Sequence, residues 1–326
     1  MKFGIIRTGF LTLWFLGHCG DASAQTTRPA TQAAVGLCEQ RYSDGQAYSA
    51  APIIIDGVTD KIRWLRPATC RRLLGYVTGA NQVADRDGEN PKLIGTAWRD
   101  VDARRFDLAR DSGLLVARGV QASGSYTPWR WLTDNRRPLG LVLPRHDARR
   151  LADGGWDGAM LDNLNGSPLV EQGGSFATAA GEYVDAQTAR DAQATYVLEF
   201  RMWWRVEKGR ECYLLGNVSR PQVWYGAGAA KPIDVAQAWP RTLAWLTACG
   251  FDGVMLELKP QYMPRAVGDT DEAKAWRAFA DAWKATGRDL VLKRLAARYY
   301  TAEQLTQFEA YAAAMLGPNV YLSWDP

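Results

Sequence analysis

Short apolar runs, many of them separated by stretches long enough for a helix, restrict this chain to few folds. Parallel strands buried on both faces read as continuous apolar runs rather than as alternation. Eight such runs lie at Ile53–Asp56, Leu73–Val77, Leu114–Arg118, Asp157–Asp162, Cys212–Asn217, Asp252–Glu257, Asp289–Lys293 and Asn319–Ser323. Among the later runs, Ala186–Lys208, Val235–Ala248, Thr270–Thr286 and Ala302–Leu316 carry helical apolar spacing. In the first of these, Tyr196, Phe200, Trp203 and Trp204 fall on one stripe and are expected to be core, as are Trp239, Trp245, Trp276 and Trp283. Strand and helix alternating eight times predicts an α/β fold, a single-domain (β/α)8 TIM barrel. A doubly wound open sheet is the other architecture such alternation permits.

Two of the runs are near copies. GGWDGAMLDNLNG (Gly154–Gly166) and CGFDGVMLELKPQ (Cys249–Gln261) both read aromatic-Asp-Gly-apolar-Met-Leu-acid, ending in Asp162 and Glu257. Gly155 and Gly250 are expected to stop a preceding helix. Side chains alternate along a strand, so Met160 shares a face with Asp162, and Met255 with Glu257. If Ala159, Leu161, Val254 and Leu256 face the helices, the two acids point into the barrel at its C-terminal rim, where barrel enzymes keep their chemistry. Alternate strands in a curved wall lie within roughly 10 Å of each other. That is compatible with the roughly 5–9.5 Å separating the paired carboxylates of glycosidases. An acid capping a helix or bonding a loop is the alternative for each alone.

Neighbouring positions add candidates. Asn217 ends the run between the two acids, placed to hold a sugar hydroxyl or orient a carboxylate, or simply to make a turn. Asn163 follows Asp162 and either binds substrate or caps a loop. Lys293 ends the next run, where it can pair with an acid or, in a lyase or aldolase, form a Schiff base. Aromatics in loops after strands suit the apolar faces of sugars: Tyr126, Trp129 and Trp131 after the third run, Trp224 and Tyr225 after the fifth, Tyr262 after the sixth.

The N-terminus reads as an export signal: Lys2 and Arg7, an apolar core from Phe10 to Leu16, and Ala22-Ser23-Ala24 as the cleavage site. Residues 1–24 are thus expected to be removed, 25–36 to form a flexible leader, and 37–326 to form the barrel, in a secreted or periplasmic protein with no membrane partner once the signal is gone. The remaining cysteines, Cys38, Cys70, Cys212 and Cys249, suit disulfides in an oxidising compartment. Cys212 and Cys249 open adjacent strands at the barrel bottom, which predicts that pair and leaves Cys38 with Cys70. Net charge is +4, without a basic block, so no nucleic-acid partner is expected. With the signal removed, His146 alone remains of two histidines, which removes multi-histidine metal sites, and no cofactor motif appears. His146 itself is expected in a surface loop or at a helix start.

WDGAMLDNLNG resembles the fourth-strand motif of secreted barrel hydrolases of glycoside hydrolase family 114, which includes endo-α-1,4-polygalactosaminidases, and of the related hypothetical glycosyl hydrolase family 15. In those families the fourth strand commonly ends Asp-Asn and a later strand ends in Glu, matched here by Asp162-Asn163 and Glu257. WRWLTDNRRPLG (Trp129–Gly140) resembles the loop before that motif in the hypothetical group. The resemblance covers about Trp129 to Lys259. It implies a retaining α-glycosidase with Asp162 as nucleophile, Glu257 as acid/base and a polysaccharide as substrate. The basic net charge departs from what a partly cationic polymer asks of its enzyme and leaves the sugar open. A non-catalytic glycan-binding barrel is a further alternative.

Overall fold

A computed structural model describes residues 36–41, 47–57, 61–80, 82–84, 96–120, 126–162, 164, 175–177, 183–218, 234–258, 260 and 268–324. Eight parallel strands close into a barrel in chain order: β1 (Gly36–Arg41), β2 (Ile53–Asp56), β3 (Arg72–Val77), β4 (Gly158–Leu161), β5 (Tyr213–Asn217), β6 (Gly253–Glu257), β7 (Asp289–Arg294) and β8 (Val320–Trp324). Helices α1 (Thr96–Asp111) and α2 (Val142–Asp153) lie between β3 and β4. Helix α3 (Ala186–Lys208) follows β4, α4 (Val235–Ala248) follows β5, α5 (Asp271–Ala285) follows β6 and α6 (Ala302–Met315) follows β7. Among the described residues no helix joins β1 to β2 or β2 to β3.

The fold is the predicted (β/α)8 barrel, with two corrections. Leu114–Arg118 is not a barrel strand. It contributes to Leu115–Val120, an edge of a three-stranded antiparallel sheet whose centre is Tyr126–Thr133 and whose other edge is Gln82–Ala84. Leu114 and Val116 are buried while Leu115 is only partly so, the one-sided burial of an antiparallel ribbon. Tyr126, Trp129 and Trp131 therefore belong to a strand of this inserted sheet, not to a loop on a barrel strand. The missing barrel strand is β1, GLCEQR, and Gly36 belongs to it rather than to a leader. Its second half is polar because each residue has a polar partner. Glu39 accepts from the Ser49 backbone N–H at 2.9 Å, Gln40 Nε2 lies 3.0 Å from Met255 Sδ, and Arg41 lies 3.8 Å from Asp56.

Burial separates the two faces of the wall. Cys38, Ile53, Ile55, Leu74, Met160, Leu215, Met255, Val291 and Tyr321 fill the interior. Ile54, Leu73, Ala159, Leu161, Val254, Leu256, Leu290 and Leu292 face outward into a core shared with Phe200, Trp204, Trp276, Phe279 and Trp283. The helices are started by conventional caps: Asp234, Thr270 and Thr301 each accept from a first-turn N–H, and Thr301 and Gln304 form a capping box. Gly155 (φ 90°) and Gly250 (φ 77°) take the left-handed conformation just past α2 and α4, as expected of helix stops.

The near-repeat is first of all a device for starting a strand. Trp156 and Phe251 are fully buried. Asp157 accepts from the backbone N–H of Leu73 at 2.9 Å, and Asp252 from that of Leu214, also at 2.9 Å. Each Asp thus ties its strand to the preceding one. Gly158 leaves room for the Tyr213 backbone, and Gly253 for the Tyr213 hydroxyl, 2.6 Å from where a Cβ would stand.

Cys38, Cys70, Cys212 and Cys249 all carry free, buried thiols, so neither expected disulfide is present in this structure. Cys38 faces the barrel interior while Cys70 lies in the outer core, on the other side of the sheet. Cys212 and Cys249 share the outer core, where burial pushes both thiols up to about 12. No helix among the described residues is long and apolar enough to cross a membrane.

Candidate active site

The strand register fixes which side chains meet at the C-terminal rim. Leu161 pairs with Gly216, so Asn217 is next in register to Asp162 and itself pairs with Met255, and Glu257 lies two residues further along β6. Strands of such a barrel are tilted and staggered by one residue per strand. Two strands on, the offset of two residues brings Glu257 back to the height of Asp162. The same count places Gln40, Tyr76, Asn217 and Lys293, one from each odd-numbered strand, in a polar layer directly beneath the two acids. Below that come Ile55, Met160, Met255 and Ser323, then an apolar plug.

Each acid is held differently. Asp162 Oδ1 accepts from Asn217 Nδ2 at 2.8 Å, and Asp162 Oδ2 accepts from the Tyr76 hydroxyl. Both oxygens act as acceptors, and the two donors fix the carboxyl plane. Asn217 and the first turn beyond β4 are further coupled by a bond from the Leu164 N–H to the Asn217 carbonyl at 3.1 Å. Glu257 Oε1 lies 3.4 Å from Lys293 Nζ, with the two side chains 12% and 5% exposed. The Tyr300 hydroxyl donates to the Leu258 carbonyl at 2.6 Å and accepts from the Leu295 N–H at 3.0 Å, binding the loops after β6 and β7 together beside this pair.

The loop after β3 is clamped from outside the barrel. Arg105 on α1 donates to the Gly79 and Gln82 carbonyls at 3.0 and 3.2 Å, and Asn135 donates to the Ala80 carbonyl at 2.8 Å. Arg105 Nε meets Asp147 Oδ2 at 2.9 Å, and Tyr196 donates to the same oxygen at 2.6 Å. These side chains are at most 1% exposed. His146, within α2, is half-buried, and burial pulls its pKa down.

The structure therefore brings together Asp162, Asn217, Glu257 and Lys293 from among the residues expected in the site. Trp131 lies instead in the inserted sheet, its ring 6.4 Å from that of Phe106 against the outer core. Tyr126 and Trp129 share its strand. Asn163, Trp224, Tyr225 and Tyr262 lie outside the described residues. Tyr76 and Gln40 were not legible as site residues. Tyr76 sits in an apolar run and Gln40 in a strand without one, and only the register shows them facing inward beneath the acids. Among the described residues no group of three or more His, Cys, Asp or Glu is arranged to hold a metal.

Two acids at one height, one anchored by neutral donors and one beside a cation, can divide the roles of nucleophile and proton carrier. No family model and no curated protein matches the chain. Among solved structures, that of Aspergillus fumigatus Ega3 in complex with galactosamine aligns with a TM-score of 0.50 at 13% identity, over 93% of this chain and 96% of that one. A GH5-4 broad specificity endoglucanase from an uncultured bacterium aligns at 0.39 and 11% identity, over 78% and 73% of the two chains. The catalytic domain of the β-amylase from Paenibacillus polymyxa aligns at 0.30 and 9%, over 77% and 76%. The likeness to the first of these is a likeness of fold: both chains are built on the same kind of closed barrel.

Proposed function

We propose that this chain is an exported glycoside hydrolase that cleaves a polysaccharide by a retaining mechanism. The observation that carries the reading is the pair Asp162 and Glu257, matched in position on alternate strands and level with each other at the rim. Asp162, oriented by Tyr76 and Asn217, attacks the anomeric carbon. Glu257 gives its proton to the leaving oxygen and then takes one from the water that releases the sugar. Lys293 stabilises the Glu257 carboxylate that the first step leaves behind. A lysine engaged in this way serves the acid rather than acting as a free amine, which favours the hydrolase over a Schiff-base enzyme. Polymers of α-linked amino sugar or galactose are the first class to try, supported by the sequence resemblance and by the galactosamine bound to Ega3.

The test is release of reducing ends from bacterial exopolysaccharides, galactosaminoglycans and α-galactans by the parent protein beside Asp162→Asn and Glu257→Gln. Loss of at least about a thousandfold in both folded variants is expected. Release that survives both changes sinks the mechanism. Binding without release by the parent protein would identify a glycan-binding barrel instead.

A further inference from the structure

The opposite, N-terminal face of the barrel carries a feature that the hydrolase reading does not use. Between β2 and β3, directly after Asp60, the chain runs Lys61-Ile-Arg63-Trp64-Leu65-Arg66-Pro-Ala-Thr-Cys-Arg71-Arg72, with five basic residues. Leu65 is 95% exposed and Trp64 38% exposed, and all five basic residues are exposed. The segment is fastened at both ends. The Ile62 N–H bonds to the Gly154 carbonyl at 3.0 Å, at the foot of β4. The Arg71 and Arg72 N–H groups both bond to the Pro52 carbonyl, at 2.7 and 3.0 Å, at the foot of β2. Arg66 closes the loop on itself by donating to the Cys70 and Arg71 carbonyls at 3.0 and 2.7 Å. Trp64 and Leu65 are thus presented outward on a stapled loop, which lowers the backbone ordering cost of engaging them.

Arg71 and Arg72 lie near Asp289, and the Arg71 side chain also bonds that of Tyr321, while Lys61 and Arg63 flank Trp64 and Leu65 in the chain. Asp157, 13% exposed, is taken by Arg66 at 2.8 Å and Arg210 at 3.6 Å. Asp153, at the end of α2, lies 3.9 Å from Arg149. We propose that this loop docks the protein on an anionic phospholipid bilayer, with Trp64 and Leu65 entering the headgroup boundary and the exposed Lys61 and Arg63 meeting lipid phosphates. A bare leucine is what favours lipid over an acidic glycan: an alkyl side chain gains by leaving water for the acyl boundary and has no comparable partner on a charged sugar chain. Tryptophan at the interface and guanidinium on phosphate complete the same chemistry. Docked this way, the barrel presents its acidic rim away from the membrane. The sequence expectation of no membrane partner considered only a spanning segment; the exposure of two adjacent apolar side chains is visible only in the fold.

The test is co-sedimentation of the protein, as recovered from an exporting host, with vesicles of phosphatidylcholine alone and of a two-to-one mixture of phosphatidylcholine and phosphatidylglycerol. Leu65→Ser and the double variant Lys61→Gln/Arg63→Gln share the N-terminus of the parent, so any contribution from that end cancels. Partition onto the mixed vesicles, weakened by salt, is expected to fall about tenfold in the first variant and about twenty-five-fold in the second. Thermal melts should be unchanged, since these side chains are exposed. Equal partition of the parent onto both vesicle types, or partition unaffected by the variants, overturns the proposal. Loop-dependent binding to polygalacturonate with none to vesicles also overturns it and assigns the face to an acidic glycan.

Discussion

Replacing Asp147 by Asn keeps the size of a wholly buried side chain and removes its charge. Arg105 and Arg150 then lose their counter-ion, now 2.9 and 3.8 Å away, in a place water does not reach. Burial works against the Asp147 carboxylate, but Arg105, Arg150, His146 and the Tyr196 hydroxyl outweigh it and hold the carboxyl below its ordinary pKa. Breaking one side of a buried pair costs about 3–5 kcal/mol. A chain of this length loses about 2 °C of Tm per kcal/mol, so a fall of about 6–10 °C is expected in a thermal scan followed by circular dichroism at neutral pH. A variant melting within about 2 °C of the parent would refute the reasoning. The pH dependence gives an independent check. A carboxyl whose folded pKa is depressed adds stability above its unfolded pKa and loses it as pH falls through the folded value. The gap between parent and variant should therefore close as pH drops below about 4.

Lys293→Met keeps the length of the side chain and removes the cation beside Glu257. The protonated form of Glu257 is then favoured, so the alkaline limb of the kcat/KM profile should move to higher pH; an unmoved or lowered limb would remove Lys293 from the mechanism. Tyr76→Phe deletes only the hydroxyl that donates to Asp162. Hydrogen bonds to charged groups contribute about 1.5–3 kcal/mol, which predicts a roughly 10- to 150-fold loss of kcat/KM, and a fully active variant would show that Asp162 does not depend on it. Gly253→Ala puts a methyl 2.6 Å from the Tyr213 hydroxyl and 2.9 Å from Leu215. A loss of about 1–3 kcal/mol in denaturant unfolding is expected from the overpacking, and an unchanged midpoint would mean that the barrel floor gives way more easily than its geometry suggests.

How much of this was legible beforehand follows from burial. Strands covered on both faces announce themselves as apolar runs, and seven of the eight barrel strands were readable for that reason. β1 was not, because Glu39, Gln40 and Arg41 carry polar duties within a strand. Leu114–Arg118 misled because a half-buried ribbon and a short barrel strand look alike over five residues. The acids were readable from repetition and alternation, and Asn217 and Lys293 from their places at strand ends. Tyr76 needed the register, since nothing in RLLGYV distinguishes a tyrosine that bonds a carboxylate from one that packs. The Cys38–Cys70 pairing failed on sidedness, since counting cysteines does not say that these two lie on opposite sides of the barrel wall.

The repeated strand-starting device has a consequence for how such a site can diversify. Its two copies sit two strands apart in a ring of eight, a quarter turn about the barrel axis. Each is anchored by its own aspartate to the foot of the neighbouring strand. The gap between the two terminal acids is thereby inherited from the symmetry of the scaffold and owes nothing to the loops above it. On the hydrolase reading proposed above, rewriting those loops would exchange one sugar for another while the stereochemical outcome, which depends on that gap, stays where the backbone has put it.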